Sequence, residues 1–297
     1  MFKNKKLLLS RLFLISIFSL QIVDASAKLK IFISVDMEGI GGIGTGEMTR
    51  STGKDYNTGR KLMTAEVNTV VSAILQNSNA EILVNDSHGD MQNLNHLELD
   101  PRVTYIQGNK KPFGMVQGLN NSFNAAIFLG YHSRAGTKKA FLAHTGSGIV
   151  KGLWLNNIEV GEGGLNAYYA GEMGVPVILA SGDDTFTQQF KKLVDCELVT
   201  TKTSITAQVA HLIHPTIINK ELSSATVRAL KNIKRSKPIQ LNNGVQIKQK
   251  FSSTTHAEIL QAIPNMKWVD GYTIQYQANN MKEAYALIRL MYKYVKS

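Results

Sequence analysis

The sequence predicts an α/β fold, a mostly parallel sheet with flanking helices that carries a metal site, plus a smaller C-terminal α+β region. Three observations predict it. Short runs of Ile, Leu, Val, Phe and Ala recur without polar alternation, as in strands buried on both faces. Four of these runs end in Asp, Glu or His, the carboxyl edge at which open α/β sheets hold their ligands. Beyond about residue 190 the pattern changes to alternating strands and amphipathic helices with few residues suited to chemistry.

In chain order, residues 31–35 form the first buried strand, and it runs into Asp36 and Glu38 before the chain turns at Gly39. Two acids two positions apart point to the same side of an extended chain. The loop that follows contains Gly39-Ile40-Gly41-Gly42-Ile43-Gly44, a match to the dinucleotide-binding G-x-G-x-x-G pattern. It opens no helix, and two acids precede it where a pyrophosphate needs positive potential, so that reading is set aside. Residues 56–76 carry Leu62, Ala65, Val70 and Ile74 at helical spacing. Strands follow at 81–85, ending in Asp86, Ser87 and His88, at 103–106, and at 125–129, ending in Gly130, Tyr131 and His132. Residues 109–119 read as a loop entering a helical turn, and His144 lies in a Gly- and Thr-rich loop. A hairpin is expected over 152–160 about Asn156-Asn157, then Glu162 ahead of a short helix at 165–173, then a strand at 175–180 ending in Gly182, Asp183 and Asp184. Later elements are strands at 197–205, 239–247 and 273–278 and helices at 224–233 and 281–295.

The basic start (Lys3, Lys5, Lys6), the apolar run 12–20 and Ala25-Ser26-Ala27 form the three parts of a secretory signal. Cleavage is expected after Ala27, with export to the periplasm or medium and no stable membrane association afterwards. Expected domains are therefore 1–27, the signal; 28–190, the metal-binding catalytic domain; and 191–297, which frames the site or builds an oligomer interface. Without Lys3, Lys5, Lys6, Arg11 and Asp24, the formal charge of +11 falls to about +8. That excess is dispersed and lacks an Arg-rich stripe with interleaved aromatics, so no nucleic-acid partner is expected. One cysteine, Cys196, excludes an internal disulfide framework and a thiolate zinc cluster.

At the carboxyl edge the polar residues are Asp36, Glu38, His88, His132, His144 and Glu162. Carboxylates and imidazoles without thiolate suit zinc, manganese or a related divalent ion. Five ligands exceed what one catalytic zinc with an open position takes, but they suffice for two metals bridged by a carboxylate. Asp36, which ends the central strand, is the natural bridge. Such a site hydrolyses; the spacing does not separate a peptidase from a phosphoesterase, nor either from a metal-retaining scaffold without turnover. His211 and His214 are three apart beside Pro215 with no acid nearby and are read as surface or core residues, as are His96 and His256.

Ser34-Val35-Asp36-Met37-Glu38-Gly39, Val84-Asn85-Asp86-Ser87-His88, Leu129-Gly130-Tyr131-His132 and Gly161-Glu162-Gly163-Gly164-Leu165-Asn166-Ala167 resemble the signatures of the D-aminopeptidase family, peptidase family M55. Lys111-Pro112-Phe113, Ala180-Ser181-Gly182-Asp183-Asp184 and Thr273-Ile274-Gln275-Tyr276-Gln277-Ala278 extend the resemblance from about residue 29 to the C-terminus, in family order. The resemblance implies a two-zinc metallo-aminopeptidase that releases N-terminal D-residues, chiefly D-alanine, from short peptides such as D-Ala-D-Ala. It also implies a ring-shaped homodecamer. Carried over by motif, Asp36, Glu38, His88, His132 and Glu162 are the zinc ligands, Asp36 bridging, and His144 is the catalytic histidine. Asp86 and Asp183 are then better candidates for partners of the ligating histidines than for ligands, and Lys111 is either a contact for a substrate carboxylate or, as is more common, a solvated lysine.

Overall fold

The structure, a computed structural model, describes residues 28–295; the signal expected over 1–27 lies outside them. In chain order the elements are β1 (Lys30–Val35), α1 (Tyr56–Asn77), β2 (Glu81–Asp86), β3 (Thr104–Ile106), β4 (Ala125–Tyr131), β5 (Val150–Leu155), β6 (Ile158–Glu159), α2 (Glu162–Glu172), β7 (Val177–Asp183), α3 (Asp184–Lys191), β8 (Glu197–Ser204), β9 (Ala210–Leu212), α4 (Pro215–Asn232), β10 (Val245–Phe251), α5 (Thr254–Ile259), β11 (Lys267–Asp270), β12 (Thr273–Ala278) and α6 (Met281–Arg289). A π-helical turn, Leu290–Tyr294, continues α6.

Seven strands form one sheet in the order β3-β2-β1-β4-β7-β8-β9. All neighbours pair in parallel except the edge strand β9, which runs antiparallel to β8. The mostly parallel α/β sheet that the apolar runs predict is therefore present. Alternation along β1 sends Ile31, Ile33 and Val35 into one core, with Met63, Val67, Val70 and Ile74 of α1 and Ile218 and Leu222 of α4. Phe32 enters the opposite core, with Leu165 and Tyr169 of α2 and Tyr285 and Ile288 of α6. Each such side chain contributes about 1.5–3 kcal/mol on full burial.

The second sheet, β11-β12-β10-β5-β6, is antiparallel throughout. Its Leu153, Val245, Ile247 and Ile274 share the core of α2 and α6. The two sheets interleave along the chain, because the hairpin β5–β6 joins the second sheet whereas β8 and β9 extend the first. Among the described residues no helix is long and apolar enough to cross a membrane.

Several elements depart from the sequence expectation. In α1 the buried stripe is carried by Met63, Val67, Val70 and Ile74, and Ala65 faces solvent, since the larger apolar groups take the sheet side. Helix α4 begins two turns earlier than 224, started by Pro215 and by the His214 imidazole, which accepts from Thr216 N–H. The strand expected at 239–247 forms instead at Val245–Phe251. Helix α3 follows from Asp183, whose side chain caps it by accepting from Phe186 N–H.

Candidate metal centre

Parallel strands β2, β1 and β4 finish side by side, and their ends carry His88, Asp36 with Glu38, and His132. The site depends on how the chain leaves β4. Gly130 has φ +68°, and the β4–β7 register shifts between Phe128 and Tyr131. A Cβ there would overlap the carbonyl of Asp36 and the side chain of Ile40, so only glycine lets the bulge turn His132 toward β1. Glu162 is the first residue of α2, where a carboxylate suits the positive end of the helix.

The structure brings all six residues singled out at the sheet edge into one cluster. His88 Nδ1 lies 2.9 Å from Glu38 Oε2 and 3.2 Å from Asp36 Oδ1. His132 Nε2 lies 3.4 Å from Asp36 Oδ2 and 3.5 Å from Glu162 Oε2. His144 stacks on His132 with ring centroids 4.0 Å apart, and its Nε2 is 3.7 Å from Glu162 Oε1. Glu162 Oε1 also accepts from Gly146 N–H. Five of the six are buried; His144, with 31% of its side chain exposed, forms the rim.

Backbone carbonyls fix the imidazoles. His88 Nε2–H donates to Thr49 O (2.7 Å), His132 Nδ1–H to Ser133 O (2.9 Å) and His144 Nδ1–H to Leu142 O (2.9 Å). With one nitrogen of each ring so engaged, the other is the one turned toward the carboxylates. Asp86 and Asp183, which the sequence reading assigns to this task, do other work. Asp86 accepts from Leu94 N–H (2.8 Å) and Asn93 Nδ2 (2.8 Å), holding the loop after β2. Asp183 caps α3 and accepts from Ser133 Oγ (3.1 Å), so it reaches His132 only through Ser133. Lys111 is also occupied: its ammonium donates to Asn85 Oδ1 (2.7 Å), Asp86 O and Ile106 O (3.2 Å), and no hydrogen is left for a substrate.

The electrostatics call for cations. Burial, and then Glu38, push Asp36 up to about 7. Burial also acts to raise Glu38 and Glu162, but His88 holds Glu38 well below its usual range, and His132 with His144 brings Glu162 down to about 2. Burial alone would lower both histidines; Glu38 carries His88, and Glu162 carries His132, well above the ordinary imidazole value. Asp36 Oδ2 and His132 Nε2 have no hydrogen-bond partner among the described residues, although both are buried. A carboxylate oxygen and an imidazole nitrogen facing each other in a dry site are the donor types that would hold a divalent ion between them. Two donor groups are compact enough to hold one, Asp36 with Glu38 and His132, and His132 with His144 and Glu162; within each group the atoms lie within 4.8 Å of one another.

Beneath the cluster a chain of hydroxyls ties the strand ends together. Ser34 Oγ meets Ser87 Oγ and Tyr131 OH, each at 2.7 Å. Asn166 Nδ2 donates to Tyr131 OH (2.9 Å) and its Oδ1 accepts from Tyr285 OH (2.8 Å). On the far side Lys202, fully buried, donates to Glu38 O (2.6 Å) and Ile43 O (2.8 Å), and Glu66 accepts from Gly41 N–H (2.6 Å). This pair clamps the glycine-rich loop that the dinucleotide pattern had marked. The other histidines stand apart. His96, His211 and His214 are exposed, and His256 is buried against Phe251 with Nε2 donating to Met291 O (2.8 Å). Sequence reasoning missed Arg289, Tyr292 and Lys293, which line the cleft over the carboxylates. Their only signal was membership of an amphipathic C-terminal helix.

A family model described as D-aminopeptidase, peptidase M55, matches residues 29–290. The D-aminopeptidase of Bacillus subtilis (strain 168) is 35% identical over 265 residues, spanning 89% of this chain and 96% of the relative. The solved structure of the Zn-dependent D-aminopeptidase DppA from Bacillus subtilis, a self-compartmentalizing protease, superposes with a TM-score of 0.86 at 35% identity, covering 89% of this chain and 96% of that one. The match takes in every strand end that carries the site, and the chain belongs to the D-aminopeptidase family of peptidase family M55.

Proposed function

We propose that the protein is a zinc-dependent D-aminopeptidase that removes N-terminal D-residues, D-alanine foremost, from short peptides such as D-Ala-D-Ala. The observation that carries this reading is the buried pair Asp36 Oδ2 and His132 Nε2, facing each other without partners between Glu38 and Glu162. In the proposal Asp36, Glu38 and His88 would hold one zinc ion per subunit, and Asp36, His132 and Glu162 would hold a second. Zinc there supplies a Lewis acid and a water acidified toward neutrality.

The chain's own residues do the rest. Asp36, Glu38 and Glu162 would offset most of the positive charge that two zinc ions bring into the buried floor of the cleft. His144, its Nδ1–H given to Leu142 O, keeps Nε2 free at the rim to accept a proton and return it to the leaving amine. Tyr131, Ser34 and Asn166 hold β1, β4 and α2 in register so that the two walls of the site keep their spacing. A homo-oligomer, a decameric ring, belongs to the same proposal; support comes from a relative described as self-compartmentalizing. Export rests on the signal pattern over 1–27, and N-terminal sequencing of the mature protein tests it.

The deciding experiment measures metal per subunit and D-Ala-D-Ala hydrolysis before and after chelation. About two zinc ions per chain, with release of D-alanine that chelator abolishes and zinc restores, is expected. Stoichiometric metal with turnover of an aryl phosphate and none of any D-peptide would overturn the reading.

A further inference from the structure

The cleft above the carboxylates has a second wall of opposite charge. Arg289, the last residue of α6, and Tyr292 and Lys293 of the π-helical turn line the same opening as Glu38, His144 and Glu162. Such turns recur at functional sites because they shift a few side chains off the helical face. Here the chain has been fitted around them. Gly114, at φ +41°, lies where any Cβ would overlap the Arg289 guanidinium, and Gly146, at φ +69°, lies where one would enter the Tyr292 ring. Gly146 is also the residue whose N–H meets Glu162, so the ring and the carboxylate are set by one backbone position.

Arg289 is 2% exposed, yet its guanidinium donates to neutral oxygens: Nη2–H to Lys111 O (3.1 Å) and Nη1–H to Tyr292 OH (3.3 Å). Its Nε–H has no partner among the described residues. Lys293 donates to Gly89 O at 3.2 Å, beside His88. The arginines that do form ion pairs, Arg50, Arg102, Arg134 and Arg228, are elsewhere and more exposed. A guanidinium buried without a carboxylate is costly unless an anion arrives. A neighbouring ammonium compounds that cost; burial, and then Arg289, lower the pKa of Lys293.

We propose that Arg289 and Lys293, with the Tyr292 hydroxyl, anchor the C-terminal carboxylate of the peptide whose amino end lies on the metal-binding side of the cleft. The inference rests on the aminopeptidase reading of the same cleft and adds its selection rule. An extended dipeptide places its terminal carboxylate within about 7 Å of its amino end, so a fixed cation wall measures peptide length. A guanidinium fork matches a carboxylate in geometry as well as charge. The protein is then a dipeptidase in preference, and a peptide amide or a chain with a distant carboxylate is a poor substrate.

The test uses two pairs of compounds on the zinc-loaded full-length mature protein. The first pair is D-alanyl-D-alanine and its C-terminal amide, compared by kcat/KM. The second pair is the same dipeptide with CH2–NH in place of the scissile amide, as free acid and as C-terminal amide, compared by calorimetric binding. The free acid is expected to be favoured about tenfold or more in both. Lys293→Gln and Arg289→Gln are expected to collapse that ratio, with the loss falling on the free acid and chiefly in KM. Lys293, partly exposed, keeps the test open if the Arg289 variant fails to fold. Equal kcat/KM for acid and amide in the unaltered protein overturns the anchor and leaves the aminopeptidase reading intact. Hydrolysis of neither overturns that reading, and the binding pair still decides the anchor: equal affinity, or a ratio untouched by Lys293→Gln, rejects it.

Discussion

Asp36 reaches both halves of the cluster, through Oδ1 toward His88 and Oδ2 toward His132. Glu38 and Glu162 each serve one half, so their loss and that of Asp36 should differ in kind. Asp36→Asn is expected to abolish tight zinc binding at both positions and to lower kcat/KM by at least about a hundredfold, since even partners behind a ligand cost 10–100-fold. Glu38→Gln should retain zinc on the Glu162 side. Metal analysis after gel filtration distinguishes the two variants; equal loss from both would deny Asp36 its shared role. Glu66, one layer below, makes a separate prediction about stability. Burial pushes it up to about 7 from an ordinary value of 4.5. Between those values the native chain holds a proton that the unfolded chain has released. The stability it contributes is thus full below pH 4.5 and lost as pH rises to about 7, on the order of 3 kcal/mol. Lys202, pushed down to about 7 by burial, acts in the opposite sense above that pH. Urea unfolding of the zinc-loaded protein and of Glu66→Gln at pH 5 and pH 7.5 should show the advantage of the unaltered chain shrinking by about 2–3 kcal/mol. An advantage independent of pH would mean that Glu66 does not titrate in this window.

Among the elements, β4 is the one whose local irregularity makes the site. Gly130→Ala forces a side chain into a left-handed conformation against the Asp36 carbonyl. The expected cost is at least about 2 kcal/mol, several degrees in melting temperature, together with reduced zinc content. A variant that melts normally and binds full zinc would show that the bulge relaxes without moving His132. The strands of the parallel sheet were readable because burial on both faces leaves an unbroken apolar run; of the four polar endings those after β1, β2 and β4 carry the site, whereas Asp183 at the end of β7 caps α3. Elements made by tertiary contact were not readable in this way. Helix α4 begins on a histidine cap and sets the exposed Ile217 beside the buried Ile218, which blurs the edge of its apolar stripe Ile218, Leu222 and Ala225. The aspartates that end β2 and β7 looked like partners for histidines, whereas backbone carbonyls already occupied those positions. Arg289, Tyr292 and Lys293 were invisible for a similar reason. Their placement depends on the end of α6 docking over Gly114 and Gly146, a contact between segments over 140 residues apart in sequence.

For the whole molecule, the far edge of the large sheet carries a concentration of exposed apolar side chains. Ile205, Val209, Leu212, Ile213 and Ile217, between 37% and 54% exposed, crowd one stretch from the β8–β9 connection to the start of α4. Apolar groups concentrated in this way, beside a sheet edge that ends on a three-residue strand, mark an association surface. A second copy of this chain is the natural occupant, because the proposed ring needs subunit contacts and because the stretch borders the loop at Gly44, which packs on Leu212 and follows the residues from Glu38 onward. Closure of a ring would then set the approach of peptides to the cleft, so assembly and catalysis share one segment of chain. Light scattering of the mature protein should give a mass several times that of one chain. Ile205→Asp combined with Ile217→Asp should reduce it to a smaller species while leaving the zinc content per chain unchanged, since neither side chain touches the metal cluster. Retention of the full mass by the double variant would move the interface elsewhere; loss of zinc together with mass would show that the centre is completed only within the assembly.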